Sequence, residues 1–315
     1  MTTLVLSGAF PVLGQSLVRV SGEDAEKFLH GQFTNSMMAL AGKCRLAAYC
    51  SPKGRMLADF LAWRDDEAFY LLMPSDIVEG FVKRLRMYVL RAKVVIETVN
   101  PTPKLTVFLG RAGEAALEAM GEKMPQPGAA QPTTSGTLLG LAPMTAIDGL
   151  TDGAARALLA QSEGEAGASA AFDAWTASQI AAGVAEVTAA TKEAYVPQHV
   201  NYERAGGVIF TKGCYPGQEV ISRVEHIGKT NRRAAIGVLA LDEGNSIDAA
   251  AMAGKAVFAD AEECGTVVEA ARVGDQLLVL FSATVDAIEG GQAISLEPNG
   301  PALAAQALPY ALSAE

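Results

Sequence analysis

The sequence predicts an α+β fold, and three observations carry the prediction. Strand-length apolar runs bounded by turn residues fill the first hundred positions. One long run of helical period, Ile77–Leu90, sits among them. From Ala234 onward short apolar runs alternate with Gly, Asp and Asn turns, the spacing of a small β-barrel or sandwich. The 315 residues also exceed the roughly 250–300 that one core serves, so sub-domains are expected.

Taken in order, Ser16–Val20 reads as a strand, and Ser21 with Asp24 reads as the cap of a helix over Glu23–Gln32. Arg45–Tyr49 and Met56–Trp63 flank a Cys/Ser/Pro/Lys/Gly turn and predict a hairpin. Ala68–Met73 is a further strand, and Ser75-Asp76 then caps the long helix. Within it Ile77, Phe81, Leu85 and Tyr88 share a face opposite Lys83, Arg84 and Arg86. Val94–Val99 returns as a strand. Residues 121–136 read as an exposed loop, Gln161–Ala171 as low complexity, and Phe172–Ala182 as a helix. Val208–Phe210 reads as a short strand. The late strands are expected at Ala235–Leu241, Lys255–Phe258, Gly265–Ala271, Gln276–Phe281 and Ala293–Leu296. The pattern changes near Arg233, dividing the chain into an α+β region over 1–233 and a barrel domain over 234–315.

Composition excludes several classes of function. Half of the residues are hydrophobic and 19% are charged, a globular balance. The net charge of −10 disfavours direct nucleic-acid or membrane-surface binding, although a local basic site for a small anion is compatible with it. Cys44, Cys50, Cys214 and Cys264 include no CxxC pair, which fits reduced thiols in a cytoplasmic protein. The Met1–Leu6 segment lacks the basic and apolar regions of a secretory signal. The Ala-rich stretch near 154–190 is broken by Arg156, Glu163, Glu165, Asp173 and Glu186, so no membrane span is expected. His30, His199 and His226 are scattered without metal-ligand spacing, and no metal is expected.

The chemistry concentrates in Lys212-Gly213-Cys214-Tyr215-Pro216-Gly217-Gln218-Glu219. A cysteine between a lysine and turn-forming glycines is well placed for exposure, and a neighbouring cation favours its thiolate. Gln218 and Glu219 add an amide and a carboxylate at the start of a helix. The other reading of the same residues, a small half-buried cysteine on a simple turn, stays open at this level.

This octet, with Val196-Pro197-Gln198 before it and Arg223 and Arg232-Arg233 after it, resembles the signature of the YgfZ family. That family is related to the T-protein, the aminomethyltransferase of glycine cleavage. Phe28-Leu29-His30-Gly31-Gln32-Phe33-Thr34-Asn35 resembles the family's N-terminal helix and turn. Ser51–Asp59 resembles its hairpin, and Leu308-Pro309-Tyr310 its ending. The resemblance is weakest over 105–170. It implies a ring of sub-domains, two of them intertwined within 1–233, around a central channel that binds tetrahydrofolate or a one-carbon derivative. It implies a monomeric accessory factor that assembles or repairs iron–sulfur clusters in client proteins, tRNA-modifying enzymes among them. Cys214 matches the family's important cysteine and Lys212 its companion. Asp59 matches an aspartate that assists one-carbon transfer in the T-protein. In the matched segments Gln218, Glu219, Tyr215, Arg223 and Asn35 are the candidates for holding the folate, with Arg232 and Arg233 candidates for its glutamate tail. Where the T-protein has Arg and Glu, this chain has Gln179 and Ala181. That departure argues against aminomethyl transfer, the alternative function, and predicts weaker or reoriented folate binding. Trp63 and Trp175 are expected in the core; Lys53 is an open choice between solvent and an anion.

Overall fold

The computed structural model describes residues 5–161, 173–226, 228, 230–242 and 247–312. The N-terminal residues 1–4, Phe172 and nearly all of the low-complexity stretch lie outside the described residues.

Three antiparallel sheets share one molecule. Strand β1 (Gly8–Pro11) leaves at once for the second sheet. The first sheet is built from β2 (Gln15–Ser21), β3 (Cys44–Cys50), β4 (Met56–Arg64), β5 (Ala68–Pro74) and β6 (Val95–Thr98), in the order β3-β4-β5-β2-β6. Two helices accompany it, α1 (Ala25–His30) and α2 (Ser75–Arg86). Helix α2 buries Ile77, Val78, Phe81, Val82 and Leu85, the face that its helical period foretells except for Tyr88, which lies beyond the helix and is exposed. Phe81 joins Phe33, Tyr49 and Phe60 in an aromatic cluster with ring centroids 4.6–6.2 Å apart.

The second sheet holds β7 (Leu105–Leu109), β8 (Ala130–Thr133), β9 (Gly136–Gly140) and β10 (Arg156–Gln161), in the order β1-β7-β10-β9-β8, with α3 (Gly110–Ala119) beside it. Helices α4 (Ala174–Ala181) and α5 (Gln218–His226) follow. The third sheet comprises β11 (Arg232–Ala240), β12 (Ala256–Ala259), β13 (Glu262–Val273), β14 (Gln276–Thr284), β15 (Ile294–Ser295) and β16 (Ala304–Gln306), with the short α6 (Val285–Glu289) after β14. Its order is β15-β12-β13-β14-β11-β16. It curls: Ala302 pairs with Ser295 at one edge while Ala304–Gln306 pair with β11 at the other. One short segment thus bridges both edges of a partly closed barrel and leaves little edge unpaired. A shared core joins the three sheets, with Val107 and Leu158 from the second, Ala48 and Met56 from the first, and Ile236 and Leu280 from the third. Among the described residues no helix is long and apolar enough to cross a membrane.

Several local expectations are corrected. Helix α1 starts at Ala25, and Ser21 ends β2. The Asp24 carboxylate accepts from Lys93 N and caps nothing. Ser75 and Asp76 do not cap α2 either: their side chains meet Ser16 Oγ and Ala189 N. That helix stops at Arg86, short of Leu90, whose φ of 47° is incompatible with continuation. Residues 130–133, expected in a loop, form β8. Val208–Phe210 is irregular; Ile209 N bonds Thr34 O.

Candidate functional site

Two separate places carry chemistry. The first is the octet turn. Gly217 has a φ of 82°, and a Cβ there would stand 2.5 Å from Ser51 O and 2.8 Å from Gly54 Cα. Only glycine allows this approach, so the octet is seated directly on the β3–β4 hairpin turn. Tyr215 is buried beneath it, and its Oη has no partner. Lys212 Nζ lies 4.7 Å from the Tyr215 ring centroid and donates to His30 O and Phe33 O, both at 2.6 Å. The ammonium therefore ties the octet to the end of α1. Burial lowers its pKa to about 8, with Cys214 acting in the opposite sense. Cys214 itself is exposed, whereas Cys44, Cys50 and Cys264 are buried.

The second place is a buried carboxyl cluster at the junction of the sheets. Glu186 accepts from Trp175 Nε1 at 3.0 and 3.1 Å and from Gln15 Nε2 at 3.3 Å. Asp59 Oδ1 accepts from Val187 N at 2.6 Å. Glu269 on β13 completes the group, and burial with mutual repulsion raises Glu186 and Glu269. Arg156 is the cation among them. It donates to Ala142 O at 3.2 Å, to Ser178 Oγ at 3.1 Å and to Gln179 Oε1. A cavity of about 750 Å³ opens beside Glu186 and Glu269, between the starts of β2, α2 and α4 and strand β13. A smaller cavity of about 230 Å³ lies on the other side of α4, lined by Trp175, Gln179, Arg156 and Arg45.

The candidates from sequence distribute unevenly between these places. Lys212, Cys214 and Tyr215 share the octet turn. Asp59 is buried behind Glu186 and lines neither cavity. Gln218 opens α5 half-buried, and Glu219 and Arg223 pair with each other at 2.8 Å on its exposed face. Asn35 is buried and satisfied: its Nδ2 donates to Leu46 O and Gly206 O, and its Oδ1 accepts from Ser36 N. Arg233 is held by Gln198 O and Glu203.

Comparison with known proteins adds to this geometry. No family model matches the chain. The tRNA-modifying protein YgfZ of Yersinia pestis (strain Pestoides F) is 33% identical over 226 residues, 70% of this chain and 67% of that protein. The chain belongs to the YgfZ family. The tRNA-modifying protein YgfZ of Escherichia coli O139:H28 is 28% identical over 305 residues, 94% of this chain and 91% of its own length. Among solved structures, the glycine cleavage system aminomethyltransferase T from Bartonella henselae superposes with a TM-score of 0.63 at 14% identity, covering 98% of this chain and 87% of that one. The fold is therefore T-protein-like.

In this YgfZ-family chain Asp59 is the junction carboxyl that a motif anticipates, whereas Glu186 and Glu269 were not anticipated from motifs. Gln179 and Ala181 belong to α4, where Gln179 receives Arg156 and Ala181 is buried. The acidic groups come instead from Glu186 and Glu269. Their signal in the sequence is a single Glu inside an apolar run, Val184-Ala185-Glu186-Val187 and Val267-Val268-Glu269-Ala270.

Burial raises the Asp59 pKa to about 7 from an ordinary value of 3.8. The folded protein therefore binds this proton more tightly than the unfolded chain does. The resulting stability is complete below the ordinary value and is lost as pH rises through about 7. Glu186 and Glu269 shift in the same direction. His199, lowered to about 4, and Lys212, lowered to about 8, oppose this chiefly below pH 6.5 and above pH 8. Stability is accordingly expected to fall between pH 6.5 and 7.5, with Asp59 alone contributing roughly 0.7 kcal/mol over that unit and Glu186 and Glu269 adding to it. Denaturant unfolding at several pH values measures this. A flat profile, or a slope unaltered in Asp59→Asn, would contradict the assignment.

Proposed function

We propose that this chain binds a reduced folate in the larger cavity and acts as an accessory factor for iron–sulfur clusters in client enzymes, including enzymes that modify tRNA. The observation that carries the folate reading is a pair of unanswered acceptors. Gln15 and Glu269 both line the cavity, and Gln15 Oε1 and Glu269 Oε1 are buried without a hydrogen-bond partner. A pterin ring is rich in N–H donors on its amino-pyrimidine edge, the complement of such a lining. Gln15 and Glu269 would hold that edge, with Glu186 kept in place by Trp175. A reduced folate supplies one-carbon chemistry when bound. The residues of this chain orient it, exclude water and hold protons at Glu186 and Glu269. Cys214, exposed on a rigid turn that lines neither cavity, is the group presented to a client protein.

Titration with tetrahydrofolate tests this reading. Wild-type protein is expected to bind it saturably, with a rise in melting temperature. Glu269→Leu removes the unanswered acceptor and leaves a pterin N–H unpaired, a cost of about 1–3 kcal/mol, and is expected to weaken binding roughly fivefold to a hundredfold. Absence of saturable binding by the wild type sinks the proposal. One observation favours a second reading, folate-dependent one-carbon transfer. Asp59 is a buried carboxyl poised near neutrality, suited to moving a proton. Turnover of a methylene-charged folate that disappears in Asp59→Asn would select this reading; no turnover would reject it.

A further inference from the structure

The seam between the hairpin turn and the barrel gathers cations that do not line the cavity proposed for the folate, Arg232 among them. Arg55 leaves the hairpin turn and donates through Nη1 to Ala194 O at 2.6 Å. The next residue, Tyr195, is buried, and its hydroxyl meets Thr266 Oγ1 at 2.8 Å. Ser282 Oγ donates to His199 O at 2.7 Å. Thr266 and Ser282 are cross-strand partners, and Ser282 opposes Ala234 on β11. Arg232, two positions before Ala234, shares that sheet face. The same face therefore carries Arg232 and receives Tyr195 and His199.

The charges converge as well. The guanidiniums of Arg55, Arg232 and Arg233 all act on the His199 imidazole. Among the described residues the carboxylate that reaches this group is Glu203, which pairs with Arg233 and Arg204. Arg55 and Arg232 have no carboxylate partner there, in a chain whose net charge is −10. Arg55, His199 and Arg232 are each half-buried, so solutes reach them while water screens them incompletely. Like charges held together without a counter-charge repel, and planar guanidiniums are suited to bidentate contact with carboxylate or phosphate.

We infer that Arg55, His199 and Arg232 form an oxyanion site at the seam between the hairpin turn and the barrel, distinct from both cavities. Its ligand presents a carboxylate or phosphate group. Because Arg55 follows the turn on which the octet is seated, an anion there fastens the hairpin, the segment 194–199 and the barrel together beneath the Cys214 turn.

The test titrates wild-type protein with sodium phosphate and, separately, with γ-linked triglutamate, each against sodium chloride at matched ionic strength. Melting temperature and the His199 imidazole NMR resonances are followed. A saturable response of both is expected with at least one ligand. Affinity is expected to fall at least tenfold in Arg232→Gln and Arg55→Gln, and to be retained in Arg111→Gln on the distant α3. A response to triglutamate alone assigns the site to glutamyl carboxylates, and a response to phosphate alone to a phosphate group. Responses that never saturate, that equal those of chloride, or that survive Arg232→Gln overturn the inference. The His199 resonances report on the wild type directly, so a poorly folded variant does not block the decision.

Discussion

Glu186→Ala is expected to lower the melting temperature by roughly 5–15 °C. The substitution deletes the acceptor of two buried donors, the Trp175 Nε1–H shared between both carboxylate oxygens and Gln15 Nε2. It also removes one of the two carboxyls that support the buried Arg156. Leaving the two buried donors Trp175 Nε1 and Gln15 Nε2 without an acceptor costs about 1–3 kcal/mol each, and each kcal/mol moves a chain of this size by about 2–4 °C. The following residue adds to the effect, because Val187 N donates to Asp59 and the segment must stay in place for that bond. Glu186→Gln separates charge from shape. Its carbonyl still accepts from Trp175, and burial already favours the neutral form of Glu186, so a loss near 1 kcal/mol is expected. Thermal unfolding of both variants decides the matter. If the alanine variant melts within a degree or two of wild type, Glu186 does not organise the junction.

The second large effect is on activity alone. Cys214→Ala changes an exposed side chain on a turn that glycine and Lys212 already fix, so stability should move by less than about 0.5 kcal/mol. In cells that depend on this chain, the proposed accessory role predicts that the variant loses most of the support given to iron–sulfur client enzymes, read as client activity and as the level of their tRNA modification. Lys212→Met behaves differently. It leaves His30 O and Phe33 O without their donor and removes the cation over Tyr215, so it should lose about 1–3 kcal/mol of stability along with function. Full complementation by Cys214→Ala would remove the thiol from the mechanism while leaving the folate proposal untouched.

What could be read from the sequence follows from how local each signal is. The β3–β4 hairpin, the buried stripe of α2 and the late strands are written in nearest-neighbour periodicity, and they form close to where that periodicity puts them. The caps were misplaced because Asp24 and Asp76 serve partners distant in sequence, Lys93 and Ala189, which no local pattern encodes. The octet was legible as a motif, and its exposed thiol agrees with one of the two local readings. The junction was legible at Asp59 alone. Arg156 and Glu186 stood out only as charges that interrupt an Ala-rich stretch and exclude a membrane span. The fold buries both of them, with Glu269 from a strand more than eighty residues further on. A cluster assembled from three sheets has no sequence spacing to recognise.

The first strand has a consequence for how the molecule is made. Residues 8–11 are made before the other described strands, yet their partner in the second sheet is β7, at 105–109. The intervening stretch contains every strand of the first sheet, which can close on itself while the leading segment is held in reserve. Synthesis at ~5–20 residues per second sets a wait of several seconds before β7 emerges. During that interval Phe10 and Val12 are without the strand that will cover them. The strand at 8–11 is therefore open to chaperones while the first sheet forms, and it becomes committed only once β7 is made.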